Sequence, residues 1–169
     1  MEKREFAKPI HQYSHKKIVE ERRKCGECTA CCKTHPVSSL NKEMSVWCKN
    51  CDIGKGCKIY PDRPKDCNDF MCQWLKGYSK EKDRPDKTKI VVDFYEIKEL
   101  GEKVASLWEV SEGALEGNYA KVTTKELLAG GVPVLHIYLG GRRVLYLKGK
   151  LTGEKRKLFT EDGIEIVQQ

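Results

Sequence analysis

All nine cysteines of this 169-residue chain lie between Cys25 and Cys72, a block of 48 residues. The block opens Cys25-Gly26-Glu27-Cys28-Thr29-Ala30-Cys31-Cys32, a C-x2-C-x2-C-C run. A C-x2-C pair brings two thiolates to one metal from a tight turn, so the spacing suits zinc or iron. On a helix, positions i, i+3 and i+7 share a face, which lets Cys25, Cys28 and Cys32 converge while Cys31 turns elsewhere. The run then serves two ions, or one cluster plus a packing thiol. The second half adds Cys48, Cys51, Cys57, Cys67 and Cys72. Three closely spaced pairs, Cys25/Cys28, Cys48/Cys51 and Cys67/Cys72, are more specific than any single C-x2-C. Burial of free thiols as small hydrophobes explains one or two members but not the set.

Ferredoxin-type spacing reads C-x2-C-x2-C-x3-C-P. Here the fourth place is His35, followed by Pro36, and Cys32 competes for that role. A histidine beside proline in a polar loop is expected to be solvated rather than ligating. Arg63 could donate from its guanidinium to sulfur and offset thiolate charge.

Whether these cysteines are ligands or disulfides depends on the compartment. An odd count and the adjacent pair Cys31-Cys32 sit awkwardly with a disulfide framework. Residues Met1 to Glu21 carry charges throughout and no apolar core, so export is not expected. The apolar stretch Gly130 to Gly141 falls short of the ~20 residues of a membrane span. A cytoplasmic protein with reduced thiols and no membrane partner is expected.

Net charge is +7. Residues 1–24 hold eight Lys/Arg against four acids, residues 25–77 eight against six, and residues 78–169 sixteen against fifteen. The basic excess is mostly an N-terminal tail without aromatic interleaving, and nucleic acid is not expected as a partner.

Around the ligands the elements divide into three: a basic helix or tail over 1–24, a cysteine-cluster metal-binding domain over 25–77, and a β-rich region over 78–169. The cysteine block has Gly, Pro, Asp and Asn punctuation and little hydrophobic periodicity, as expected of a segment folded by its metal. Segment 77–89, with Asp83-Arg84-Pro85-Asp86, reads as a connection. Ile90, Val92 and Phe94 alternate with Val91, Asp93 and Tyr95, giving a strand with one apolar face. Val104 to Val110 is a second strand. Thr123-Thr124-Lys125-Glu126 has a capping-box pattern that would start a short helix ended by Gly130-Gly131. Val132–Leu139 and Arg142–Leu147 flank Gly140-Gly141 as a hairpin with a two-residue turn. Lys157–Thr160 and Ile164–Val167 around Asp162-Gly163 read as another hairpin. The fold class is α+β: an N-terminal helix, a metal-stapled cysteine block, and a small, mostly antiparallel sheet with a short helix.

The C-x2-C-x2-C-C run, followed by Gly56-Cys57-x-Ile59-Tyr60-x2-Arg63-Pro64-x2-Cys67-x2-Phe70-x-Cys72, resembles the YkgJ-type cysteine-cluster proteins, described as zinc- or iron-chelating. The likeness covers roughly residues 25–75 and includes both the run and the Tyr-x2-Arg-Pro-x2-Cys element. Trp47-Cys48 and Trp74-Leu75 are similar to a small stand-alone branch with a β-rich C-terminal part. The wider family usually has eight cysteines, so the resemblance makes Cys48 or Cys51 the additional one. Tyr60 joins Arg63 as a group expected around the ligands. Some relatives are flagellin lysine N-methylases, which the resemblance implies carry an iron–sulfur cluster; their long additional region is lacking here.

All nine cysteines stand as candidate metal ligands, for zinc in four-thiolate sites or for an iron–sulfur cluster, with iron–sulfur preferred on the ferredoxin-like opening and the resemblance. Metal ions are the expected partners, together with a protein to which the β-rich part presents the site. The expected function is that of a metal-binding accessory or interaction protein. An iron–sulfur enzyme in electron transfer or side-chain modification, and a metal carrier or sensor, are the other readings. Four scattered histidines, His11, His15, His35 and His136, with no acid partner in sequence, give little support to a Cys–His nucleophile. No phosphate-binding glycine motif is present.

Overall fold

The structure is a computed structural model that describes residues 23–98, 100–151 and 153–169. The tail or helix expected over 1–24 lies outside the described residues except for its last two positions, as do His11 and His15. Arg23 is described: its guanidinium donates to the carbonyls of Trp74 (3.0 Å) and Ser79 (2.6 Å) and lies 4.9 Å from the centre of the Trp74 ring.

β-Branched and aromatic residues build the main sheet. Its strands are β3 (Ile90–Ile97), β4 (Glu102–Glu109), β5 (Val134–Ile137), β6 (Arg143–Leu147) and β7 (Ile164–Gln168), ordered β3-β4-β5-β6-β7. A two-stranded sheet, β1 (Cys51–Asp52) with β2 (Gly56–Cys57), belongs to the cysteine block. Five helices complete the described residues: α1 (Ala30–Thr34), α2 (Lys65–Asp69), α3 (Pro85–Thr88), α4 (Asn118–Ala129) and α5 (Gly153–Glu161). The class is α+β, as expected.

The five-stranded sheet is mixed rather than mostly antiparallel. β3/β4 and β5/β6 pair antiparallel, while β4/β5 and β6/β7 pair parallel. Parallel neighbours need a crossover, and helices α4 and α5 supply them. The expected strand at Lys157–Thr160 is therefore part of α5, whose Phe159 is 5% exposed and packs with Leu145, Leu147 and Ile164. Because β4 and β6 run in opposite directions while both crossovers step the same way across the sheet, crossovers of one hand place α4 and α5 on opposite faces.

On the α4 face lie Ile90, Val92, Ala105, Leu107 and Val134, packed by Ala120, Leu127 and Leu128. On the other lie Val104, Leu135, Ile137 and Leu145 under α5. Beside α5 on this second face the cysteine block docks: Ala30, Val91 and Val110 form a cluster with Cys28, Phe70, Cys72 and Trp108. Strand β3 thus has two apolar faces at its start, not one, because Val91 is covered by the block. Its outer edge is covered too, where the Gln73 N–H donates to the Val92 carbonyl at 2.8 Å.

Helix α4 begins five residues before the expected capping box. Thr123 and Thr124 are buried in its interior, and the Thr124 hydroxyl serves a tertiary contact instead of a cap. Its C-terminal end at Gly130 and Gly131 is as expected. The β5–β6 turn is one residue longer than expected: Tyr138 N–H donates to Arg142 O, and only Gly141 of the glycine pair takes positive φ, +83°. Segment 77–89 connects the block to β3 through a 3₁₀ turn, Glu81–Asp83, and α3, with Trp74 Nε1 donating to Glu81 O at 3.3 Å.

Candidate metal centre

The first C-x2-C pair sits on a turn, not on the helix expected to align Cys25, Cys28 and Cys32. The Cys28 N–H donates to Cys25 O at 2.9 Å, and Gly26 takes φ +53°, a conformation that favours glycine. Helix α1 starts only at Ala30 and carries Cys31 and Cys32. A second turn repeats the pattern, with Cys51 N–H donating to Cys48 O at 3.0 Å, and Cys48 N–H ties it to Cys32 O at 3.0 Å. Cys57 is the cross-strand partner of Cys51 in the small hairpin, Cys67 lies in α2, and Cys72 follows it.

None of the nine is in a disulfide, and all are half-buried. Their mutual influence divides most of them into two neighbourhoods. Burial pushes the Cys72 thiol up to about 11, and Cys25 and Cys28 push it the same way, while the N–H groups of Leu75 and Trp74 donate to its sulfur. Burial also raises Cys25, with Cys28 adding to the rise and Arg63 opposing it. Cys28 is raised by burial against N–H donation from Ala30 and Asp86. Backbone donors aimed at sulfur stabilise a thiolate, the form that binds metal.

The second neighbourhood centres on Cys32. Its thiol is raised by donating to Cys31 and then by burial, and it accepts from Cys51. Cys51 is pushed up to about 12 by burial, then by Cys32, while Thr29 donates to it. Cys67 is raised by burial and then by Cys32, Cys48 and Cys57. Cys32 also raises Cys25, which links the two neighbourhoods.

Among the described residues, no group of three or more His, Cys, Asp and Glu side chains is set to hold a metal ion. The donor set nonetheless fits a thiophilic metal in chemistry: unpaired thiols gathered in one block, several with N–H donors on sulfur. Cys32 shares sulfur hydrogen bonds with Cys31 and Cys51, and a metal would have to displace the thiol protons.

Arg63 and Tyr60 lie together, the guanidinium 3.9 Å from the Tyr60 ring centre. Arg63 Nε donates to Asn68 Oδ1 at 2.6 Å, and Asn68 Nδ2 returns a bond to Arg63 O. Arg63 is thereby positioned near Cys25, whereas Tyr60 is 49% exposed.

His35 is not the solvated loop residue expected. Its ring packs between Phe70 and Trp108, with centroids 4.1 and 4.4 Å away, and Nδ1 lies 2.8 Å from Thr34 Oγ1. Burial, and then Lys42, lower its pKa to about 4. The ring joins the cysteine block to the sheet.

Lys42 escaped sequence reasoning, since nothing in Asn41-Lys42-Glu43 marks a buried lysine. It is 8% exposed, and its Nζ donates to three carbonyls, those of Lys33 (3.0 Å), His35 (2.5 Å) and Glu43 (3.0 Å). Burial lowers its pKa, and Cys48, Cys32, Cys31 and Cys67 oppose that shift.

No family model matches the chain, and neither a curated protein nor a solved structure does. No described helix is long and apolar enough to cross a membrane.

Proposed function

We propose that this chain is a metal-binding cysteine-cluster protein acting as an accessory or interaction protein, with an iron–sulfur cluster preferred over zinc. The observation that carries the reading is the gathering of nine unpaired thiols from 48 residues into one block, in two coupled neighbourhoods. Thiolates are the ligands that both metals share, and the ferredoxin-like opening favours iron. The resemblance of residues 25–75 to YkgJ-type proteins supports the same reading. When bound, the metal would supply either electron transfer or closed structural coordination. Reduced thiols in this number belong in a reducing compartment, and the cytoplasm is the proposed location.

A protein partner fits the surface of the block. Val46, Ile53 and Tyr60 are 51%, 57% and 49% exposed there, while the opposite face of the sheet is covered by α4. Anaerobic purification with elemental analysis and a visible spectrum tests the assignment. A brown protein with iron and sulfide, or a colourless one with stoichiometric zinc, is the expected result. A folded protein that neither retains nor takes up either metal would overturn it.

A further inference from the structure

We infer that the outer edge of β7 seats a second copy of this chain, which adds its own β7 antiparallel and forms a closed two-fold dimer with one continuous sheet. No candidate metal ligand takes part.

Strand β7 is last in the order β3-β4-β5-β6-β7, so one of its sides meets no other strand. Two bonds fix the direction of its backbone groups: Gln169 N–H donates to Leu147 O at 3.1 Å, and Gly149 N–H donates to Gln169 O at 3.3 Å. Both groups of Gln169 therefore face β6, and by alternation so do those of Val167 and Glu165. The N–H and C=O groups of Ile164, Ile166 and Gln168 point away from β6, and no other strand among the described residues meets them. At the far side of the sheet the β3 edge is occupied at Val92 by the Gln73 N–H. Nothing comparable guards β7. It contains no proline, lysine or glycine, and its single charge, Glu165, is held by Arg142 at 2.7 and 2.8 Å. Such an edge is a template for another strand.

Register and charge select a second copy over an unrelated strand. Antiparallel self-pairing centred on Ile166 sets Ile166 against Ile166 and Ile164 against Gln168, and each facing pair exchanges both bonds. The α5 core, to which Ile164 and Ile166 belong, then continues across the dyad. Glu165 lies across from Val167 in this register. Centring on Glu165 would oppose like charges, and centring on Val167 would leave Ile164 unpaired. The two ends of β7 also carry opposite charge. Exposed Glu161 and Asp162 precede it, while exposed Lys148 and Lys150 stand at its other end, in the loop that Gly149 ties to Gln169. Antiparallel pairing brings the acidic end of each copy to the basic end of the other across two strand spacings, about 10 Å. Glu161 has Lys157 of its own helix at 3.7 Å, but Asp162, Lys148 and Lys150 form no ion pair among the described residues. A parallel pairing would set acid against acid.

The edge is only five residues long, so the buried area falls below the ~1,200 Å² of stable interfaces and the dimer is weak and reversible. With the β3 edge occupied, pairing closes on its own dyad and does not run on into a fibre.

Sedimentation equilibrium of the reduced full chain up to about 1 mM is the test. The mass is expected to rise reversibly from 19.4 kDa toward twice that value. Asp162→Lys and Lys150→Glu, each at an exposed position, are expected to weaken the dimer about fivefold or more. An equimolar mixture of the two variants should recover the wild-type strength, because both junctions of the mixed pair are then complementary. Gln168→Pro removes an outward N–H, leaves the pairing with β6 in place and is expected to abolish association. Should Gln168→Pro fail to fold, amide exchange in the wild-type chain decides instead: Ile164, Ile166 and Gln168 should gain protection with concentration, while Glu165 and Val167 are protected throughout. A chain that stays monomeric up to about 1 mM, or a dimer that neither charge reversal weakens, would overturn the inference. Protection of Ile166 at every concentration without a dimer would assign the edge to a segment of the same chain and overturn it as well.

Discussion

Thr124 Oγ1 and His136 Nε2 lie 2.7 Å apart in the layer between α4 and the sheet, a direct polar bond between that helix and β5. His136 is 4% exposed, its ring stands 4.6 Å from that of Tyr146, and its Nδ1 is buried without a partner. A neutral ring with Nε2–H donating to Thr124 leaves only a lone pair unsatisfied at Nδ1, the less costly arrangement. This residue is a sheet-face histidine locked into a helix contact.

Thr124→Val keeps the shape of the side chain but strands Nε2 in an apolar layer. The expected cost is about 1–3 kcal/mol, read as a lowered denaturant midpoint with an unchanged slope. An unshifted midpoint would show that the bond contributes nothing net.

Stability is expected to fall on acidification. Burial lowers the His136 pKa to about 4, against ~6.5 unfolded, so between these values the unfolded chain binds a proton that the native chain refuses. The histidine contribution is complete above pH ~6.5, declines as pH drops toward 4, and levels off below, spanning about 3 kcal/mol. His35 acts in the same direction. Denaturant melts across this range should show His136→Gln with a shallower pH dependence than wild type; equal slopes would contradict the burial argument.

Replacing Cys25 and Cys28 together by Ala is expected to lower bound metal and to destabilise the chain, because metal binding and folding of the block are linked. Each ~1 kcal/mol lost should lower the thermal midpoint by about 2–4 °C. Unchanged metal content in the purified variant would remove this pair from the ligand set.

Trp108 touches both the α5 core and the cysteine-block cluster, stacks on His35, and donates from Nε1 to Ser106 Oγ at 2.9 Å. Trp108→Ala is expected to cost about 3–5 kcal/mol. It should also raise the His35 pKa from about 4 toward the free value, since half of its sandwich is gone. An NMR titration of the His35 ring checks this, and an unmoved pKa would show that Phe70 and the block alone exclude water.

Some of this molecule is legible from neighbours along the chain. The crowding of cysteines between Cys25 and Cys72, the strands β3 and β4, the β5–β6 hairpin and the glycine end of α4 all follow from local spacing, apolar alternation or turn chemistry. Contacts between distant segments decided the rest. Lys157–Thr160 is helical because β7 pairs parallel to β6, which demands a crossover, and because Phe159 fills the core there. Thr124 lies in the helix interior rather than at its cap, with its hydroxyl bonded to His136, twelve positions away. The grouping of Cys72 with Cys25 and Cys28 spans more than 40 positions, and the buried Lys42 ammonium is held by the carbonyls of Lys33 and His35 at the end of α1. The sequence by itself determined that thiol chemistry is concentrated in one block beside a sheet. Only the tertiary structure decided which sulfurs are neighbours, because spacing along a chain sets what a turn can bring together but not what a fold brings back.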